Sequence, residues 1–444
     1  MAAKPSRAEP LPAKSRKRRV ERDALGTFEV PHDAYYGIHT YRALMSAGTY
    51  MHSLNRHLYY LRAMLKVKKA AARANRDARV LPRRIADAIE TACDDILRDP
   101  LKYPKEFPVD ALIGGGGIAI NMNVNEVIAN LGNELLGGTR GDYQPIDPKR
   151  HVNASQSTAD VCHTAMRIAV ILTWEGLHAK LDACGEDLRA KAKEFHPIRT
   201  LARTCLQDAG ATSLGDLFGG YAAAIERRTG EIDRAVGALH QINLGGTVLG
   251  DGAGASPAYR RAVLRHLNRT VNEWDPRGHV TNVRHKFVLR ENLFDAAQNC
   301  DDLGNVAAQV GLLAEVLIKI AQDLRLLASG PRGGFGEITM PAVIEGSSFY
   351  PGKINPVNAE TLIQCCFQAL GHELAARLAL EHGELNLNVF ESSAAINIVD
   401  AMNVLEGPLG EFWSMLRGIT ANKARCTQLA SFARNGARKG GRTR

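Results

Sequence analysis

Apolar residues recur at alternating steps of three and four over most of this chain, the spacing of helices with one buried face. The register Leu303, Val306, Val310, Leu313, Leu317, Ile320, Leu324, Leu327 runs without a fault. It predicts one helix over residues 293–327, roughly 50 Å long at about 1.5 Å per residue. A second long helix is predicted from Ser155 to about Phe195, where no proline intervenes and Val161, Ala165, Ile168 and Leu172 keep helical spacing. A third starts with Asn355 as N-cap and Pro356 at the first helical position, and continues to about His382. Shorter helical patterns cover residues 56–79 and 84–98. Helices this long need partners along their whole extent, so the pattern predicts an all-α bundle extended by oligomerisation. Strand patterns are sparse and alternating βα units are absent, which leaves dinucleotide binding without support. No apolar run reaches the length of a membrane span, so a soluble protein without membrane partners is expected.

Between the helical patterns that end at Leu327 and begin at Asn355 lies a stretch that can be neither helix nor strand, SGPRGGFGEITMPAVIEGSSFYPGKINP over residues 329–356. Its glycines admit positive φ and its prolines remove ladder donors. Ser347, Ser348, Lys353 and Asn355 within it can aim hydroxyls, an ammonium, an amide and backbone N–H groups at one anionic ligand. The plain alternative is a solvated glycine-rich connection. A phosphate-binding P-loop fails on spacing: five residues separate Gly346 from Gly352 where that motif needs four, and Ile354 follows Lys353. A run of four glycines, Gly114 to Gly117, precedes another predicted helix and forms a natural anion cradle.

Charge refines this picture once it is located. Residues 1–19 carry +6 and residues 434–444 carry +5, together more than the whole net charge of +9. The body between is slightly acidic, so nucleic acid is not an expected partner, and the two tails read as disordered and solvated. The N-terminal tail lacks a secretory apolar stretch and is a poor match to a transit peptide, which makes the cytoplasm the expected location. Eight cysteines form no CxxC pair. Cys93, Cys162, Cys184, Cys300, Cys365 and Cys366 fall in apolar helical patterns, as buried thiols in a reducing compartment, and no structural metal is expected.

Three stretches share one chemical character: GGGGIAINMNVNEVIAN (114–130), VNASQSTADVCHTAMRIA (152–169) with RTCLQDAG (203–210), and EGSSFYPGKINPVNAE (345–360). Together they resemble the aspartase/fumarase superfamily of lyases, whose loop GSSxxPxKxNP is complete here as Gly346, Ser347, Ser348, Pro351, Lys353, Asn355 and Pro356. DAYYGIHTYRA near the N-terminus looks more like the aspartate ammonia-lyase branch than fumarase, and the resemblance covers roughly residues 20–427.

The resemblance implies an all-helical subunit in a homotetramer, each active site shared between subunits, and a cofactor-free β-elimination of ammonia from L-aspartate or a close amino dicarboxylate to give fumarate. Ser347 matches the base. Lys353 and Asn355 match residues that hold the α-carboxylate, Ser157 and Thr158 match donors to the β-carboxylate, Thr204 lies where the amino group is contacted, and Ser348 belongs to the same substrate-binding loop. The chemistry asks for such parts, because removing a proton beside a carboxylate builds an enediolate that only preorganised donors can hold. A serine hydroxyl is a poor base unless backbone N–H groups and a cation favour its alkoxide.

The sequence also departs from the family pattern, and three of the departures, Ile118, Ala159 and Cys205, fall where the pocket is lined. Ile118 stands for its Thr and Ala119 for the Ser after it, Ala159 for the Asn of STND, His163 for a Pro, and Cys205 for a His or Gln. Each lost bond to a charged group is worth on the order of 1.5 to 3 kcal/mol. They admit two alternatives: a lyase of the same mechanism for a different or bulkier succinyl-type substrate, or a catalytically weakened scaffold. His163 reads as a packing or surface residue and Cys205 as an inert pocket thiol. Phe349 and Tyr350, replacing an aliphatic pair, pack as a lid hinge or lend a donor from Tyr350. The expected divisions are a disordered tail over 1–19, an N-terminal domain over 20–150, a central bundle over 151–403, a shortened C-terminal domain over 404–430 and a tail over 431–444.

Overall fold

A computed structural model describes residues 17–47, 52–273 and 284–440, the last seven by backbone alone. The tails expected over 1–16 and 441–444 lie outside the described residues. The chain divides into two compact units, one of residues 1–165, 242–298 and 384–392, the other of 166–241, 299–383 and 393–444.

The first unit opens with an antiparallel hairpin of β1 (Arg18–Asp23) and β2 (Gly26–Pro31). Arg18 and Arg19, read from sequence as tail, belong to this strand. The reason is local: the Arg19 guanidinium bonds Glu21 Oε1 and the carbonyls of Pro31, His32, Ala34 and Tyr36, which ties β1 to the segment that follows β2. Helices α1 (Ile38–Ala47), α2 (Leu58–Asp77), α3 (Arg83–Arg98) and α4 (Ile118–Leu135) come next. α2 packs against α3 and against α7 (Pro257–Val271), while α4 packs on α1 and α3. α3 shows why: Ile85, Ile89, Ala92, Cys93 and Ile96 fall on one face and all are buried. The family-like stretch around Gly37 is explained by a buried acid. Glu126 on α4 accepts hydrogen bonds from the N–H groups of Gly37, His39 and Thr40 and from the Thr40 hydroxyl, capping α1. A Cβ on Gly37 would stand 1.8 Å from the Tyr143 hydroxyl, so only glycine fits there.

α5 (Thr158–Phe195) starts in the first unit and continues into the second as one helix of 38 residues. In the second unit it is joined by α6 (Leu214–Ala238), α9 (Asp301–Leu327), α10 (Val357–Glu381) and α11 (Glu391–Gly418). α9 packs against α6 and α10, and α5 is tied to α9 by Arg167–Asp302 and to α6 by Trp174 Nε1 donating to Asp233 at 2.8 Å. The all-α long-helix bundle predicted from periodicity is present. A hairpin of β3 (Arg199–Thr204) and β4 (Gln207–Ser213) packs against α12 (Lys423–Gly440), which carries residues 431–440 on as helix where the sequence reading placed a tail.

Two further expectations are corrected. Residues 293–327 form two helices, α8 (Leu293–Gln298) and α9, with a break at Asn299 and Cys300. Asp301 and Asp302 occupy the first turn of α9, where carboxylates favour a helix start; α9 is therefore roughly 40 Å long. By length and composition α9 is apolar enough to cross a membrane, contrary to the reading that no run reaches that length. Half of its most apolar window is buried inside the protein, with Val306, Val310, Leu313, Leu317, Ile320 and Leu324 in the core.

Candidate active site

In the second unit the segment from α9 to α10 is a structured loop. Expected to be neither helix nor strand, it does carry one short strand, Ile338–Thr339, paired antiparallel with Thr420–Ala421 and ended after two residues by Met340 and Pro341. At its start Ser329 Oγ accepts from Phe335 N at 3.0 Å and Gly336 N donates to Ser329 O, closing a turn so tight that a Cβ on Gly334 would lie 2.5 Å from Ser329. Glu337, fully buried, then binds the β3–β4 hairpin through Arg203 Nη1 at 2.6 Å and the Thr200 hydroxyl. The tip is a second closed turn. Gly346 N donates to Lys353 O at 2.9 Å, and Asn355 Nδ2 donates to Gly346 O at 2.9 Å. Asn355 therefore does not cap α10, whose first residue is Val357; its side chain is spent on closing the loop.

Ser347 is half-buried at this tip, and its Oγ accepts from Phe349 N at 3.0 Å and Tyr350 N at 2.9 Å. Two backbone donors on one hydroxyl oxygen favour negative charge there. Ser348 and Lys353 are exposed. Phe349 and Tyr350 meet edge to face at 4.9 Å with both rings largely in solvent.

Thr204 and Cys205 sit at the end of the β3–β4 hairpin, both exposed. Thr204 pairs with Gln207, so Cys205 and Leu206 form the whole loop, at φ 53° and 58°. A two-residue turn of this kind needs left-handed backbone twice and favours Asn-Gly. Leu206 pays that strain with its side chain in solvent. Leu206→Gly is expected to stabilise the fold by about 0.5 to 1 kcal/mol, strain relief exceeding glycine's entropy cost; a lower melting temperature would contradict this. A cleft of about 400 Å³ beside the hairpin is lined by residues including Thr200, Arg203, Leu206, Phe335 and Glu337, none of them a predicted catalytic group.

The first unit holds the remaining predicted residues. Gly115, Gly116 and Gly117 all have positive φ, 102°, 62° and 78°, and turn the chain into α4. A Cβ on Gly117 would lie 2.9 Å from Cys162 Sγ and 3.6 Å from Thr158 Cγ2, so this turn rests against the start of α5. Ser157 Oγ accepts from Ala159 N at 3.2 Å, and Thr158 Oγ1 accepts from Asn121 Nδ2 at 3.1 Å. With each oxygen accepting from behind, each hydroxyl proton is left to donate outward. Ile118 is 46% exposed beside this turn, whereas Ala159 is buried. Ile118, Ser157, Thr158 and Ala159 thus belong to one unit, and Thr204, Cys205, Ser347, Ser348, Lys353 and Asn355 to the other.

Several residues that support these groups escaped the sequence reading. Asp160, fully buried, accepts from the N–H groups of Ser157, Gly245 and Thr247 and fixes the start of α5; burial pushes its carboxyl up, partly offset by those three donors. Asn121, Asn125 and Asn153 form an amide cluster joined to Lys68. The available signal was polar residues recurring through the otherwise apolar INMNVNEV. His163 is fully buried, its Nε2 3.3 Å from Asn388 O and 3.8 Å from Glu391, a packing residue as read. The predicted buried thiols are buried except Cys365, which is half-buried.

The long-helix bundle and the serine-bearing loop define a class of lyases, and a family model described as Lyase matches residues 26–371. The chain belongs to this family, the aspartase/fumarase superfamily. It is 37% identical over 409 residues to aspartate ammonia-lyase of Escherichia coli strain K12, spanning 92% of this chain and 83% of that protein. Aspartate ammonia-lyase of Bacillus subtilis strain 168 is 38% identical over 411 residues, with the same coverage. Among solved structures, fumarate lyase:delta crystallin from Brucella melitensis matches with a TM-score of 0.85 at 38% identity, covering 93% of this chain and 91% of that one.

Proposed function

We propose that this protein removes ammonia from L-aspartate, or a close amino dicarboxylate, by cofactor-free β-elimination to fumarate, with Ser347 as the base. The observation that carries the reading is the Ser347 hydroxyl held against the N–H groups of Phe349 and Tyr350. Those donors favour the alkoxide that a serine base requires, and the named aspartate ammonia-lyases share 37–38% of the sequence. Lys353 and Asn355 grip the α-carboxylate, Ser157 and Thr158 donate to the β-carboxylate, Thr204 meets the amino group, and Ser348 completes the loop's contact with substrate. The proton leaves the carbon beside the β-carboxylate for Ser347, the electron pair spreads over that carboxylate, and its return expels the amine as the double bond forms.

The working form is a homotetramer whose sites draw on more than one copy. Exposed Leu312, Leu326, Phe367, Leu374 and Leu378 on α9 and α10 support this, since an apolar face on long helices calls for a partner. Purified protein is expected to release fumarate from aspartate, followed by ultraviolet absorbance, and to run as four chains in light scattering. A monomer that binds and turns over nothing would sink the reading in favour of a non-catalytic scaffold. A second reading, a bulkier succinyl-type substrate, is favoured by Ile118, an apolar side chain exposed beside Thr158's turn; higher kcat/KM for a substituted aspartate than for aspartate is its mark.

A further inference from the structure

Lys68 lies in the middle of α2 and is fully buried. Its Nζ donates to Asn153 Oδ1 at 2.9 Å and Gln156 Oε1 at 3.1 Å, both uncharged amide oxygens. The groups that face it are Asp160 and Cys162 from α5 and Cys93 from α3. None cancels its charge directly: Asp160 accepts from three backbone N–H groups, and burial holds both thiols well above the usual range. Burial lowers the Lys68 pKa to about 7, against the raising influence of Cys162, Asp160 and Cys93. A methionine would fill this place without burying a charge. A lysine there needs another account.

The hydrogen bonds supply it. Asn153 Oδ1, which accepts from Lys68, also accepts from Asn121 Nδ2 at 3.0 Å and Asn125 Nδ2 at 3.2 Å. Asn121 Nδ2 in turn reaches Thr158 Oγ1 at 3.1 Å. The ammonium is thus three hydrogen bonds from a hydroxyl read as a carboxylate donor. Ammonium donation holds Asn153 Oδ1 toward Lys68 as an acceptor, and that fixes Nδ2 as the atom Asn121 presents to Asn153 and to Thr158.

We propose that Lys68 is a positioning residue for the Ser157–Thr158 carboxylate pocket: through Asn153 and Asn121 it sets the Thr158 hydroxyl to donate outward, and it places a positive charge behind the bound carboxylate. This rests on the reading of Ser157 and Thr158 under Proposed function. The consequence is a proton linkage. Lys68 is charged below its pKa and neutral above it, and a bound dianion favours the charged form. Dicarboxylate binding therefore takes up a proton above pH 7 and weakens as pH rises, by at most about tenfold per pH unit.

The test is calorimetric titration of the full chain with succinate, a non-reacting dicarboxylate, in two buffers of different ionisation enthalpy from about pH 6.5 to about pH 8.5. Wild type is expected to take up a fraction of a proton near pH 8 and to bind several-fold more weakly at the upper end. Lys68→Met is expected to lose both the uptake and the pH dependence, with affinity reduced about tenfold or more at the lower end. If that variant does not fold, Asn121→Ala keeps the lysine and cuts the path to Thr158: weaker binding with proton uptake retained is the supporting result. Succinate binding by wild type without uptake overturns the role of Lys68 and leaves the proposed function standing. Uptake unchanged in a folded Lys68→Met also overturns it. No succinate binding at any pH overturns both.

Discussion

Ser347→Ala is expected to lower kcat for fumarate release from aspartate by about 10²- to 10⁴-fold, the usual contribution of a positioned proton acceptor, while KM moves only a few-fold. The expectation follows from the loop's own bonds. Ser347 Oγ accepts from Phe349 N and Tyr350 N at a tip whose neighbours are exposed, so alanine releases those two N–H groups to water instead of burying them unpaired. The turn itself is closed by Gly346–Lys353 and Asn355–Gly346 bonds that do not involve the serine side chain. Melting temperature should therefore hardly change, and lost turnover can be assigned to chemistry. Steady-state kinetics with a parallel melt decides it. Turnover within a few-fold of wild type would move the base elsewhere, because no geometric change could be blamed.

The largest expected effect on stability lies at Arg167. Its guanidinium meets Asp302 in two bonds, Nε to Oδ2 at 2.8 Å and Nη2 to Oδ1 at 2.9 Å, with both side chains nearly sealed from solvent at 2% and 5% exposure. Burial works against the arginine's charge, but Asp302 and Cys300 together outweigh that and hold its pKa above the ordinary value. Arg167→Met would take away the guanidinium that makes two bonds to the buried Asp302 carboxylate. Removing one partner of a buried pair costs about 3 to 5 kcal/mol, enough to loosen α5 from α9. The double variant Arg167→Met, Asp302→Leu should recover most of that loss, because two apolar residues of similar volume need no ion. Chemical denaturation of the three proteins measures both. A neutral single variant would mean that water reaches Asp302 and that the pair is not sealed.

Parts of the site were readable without coordinates because they depend on local rules. Glycine and proline in residues 329–356 exclude any long helix or strand, leaving room only for the two-residue strand Ile338–Thr339, and the serines, lysine and asparagine spaced among them announce an anion-handling loop. Asn355 shows where such rules stop. Asn before Pro is a sound cap signal, yet its amide closes the loop on Gly346 nine residues back, a competition between two hydrogen bonds that spacing cannot rank. Lys68 is harder still. A lysine among apolar and basic neighbours on α2 reads as a solvated face, and only packing of α2 against neighbouring elements turns it inward.

What the sequence by itself determined is the helical content, the register of the long apolar stripe on α9, the irregular loop and the chemical inventory placed on it. Each follows from a period or a conformational restriction that acts over a few residues. Tertiary structure alone decided where the 293–327 stripe breaks, that Gly37 must be bare against Tyr143 and Glu126, that Ser347 faces two N–H groups, and that Lys68 lies buried behind Thr158. These depend on which side chains, far apart in the chain, compete for the same volume, the same donor or the same charge, and no local rule carries that information.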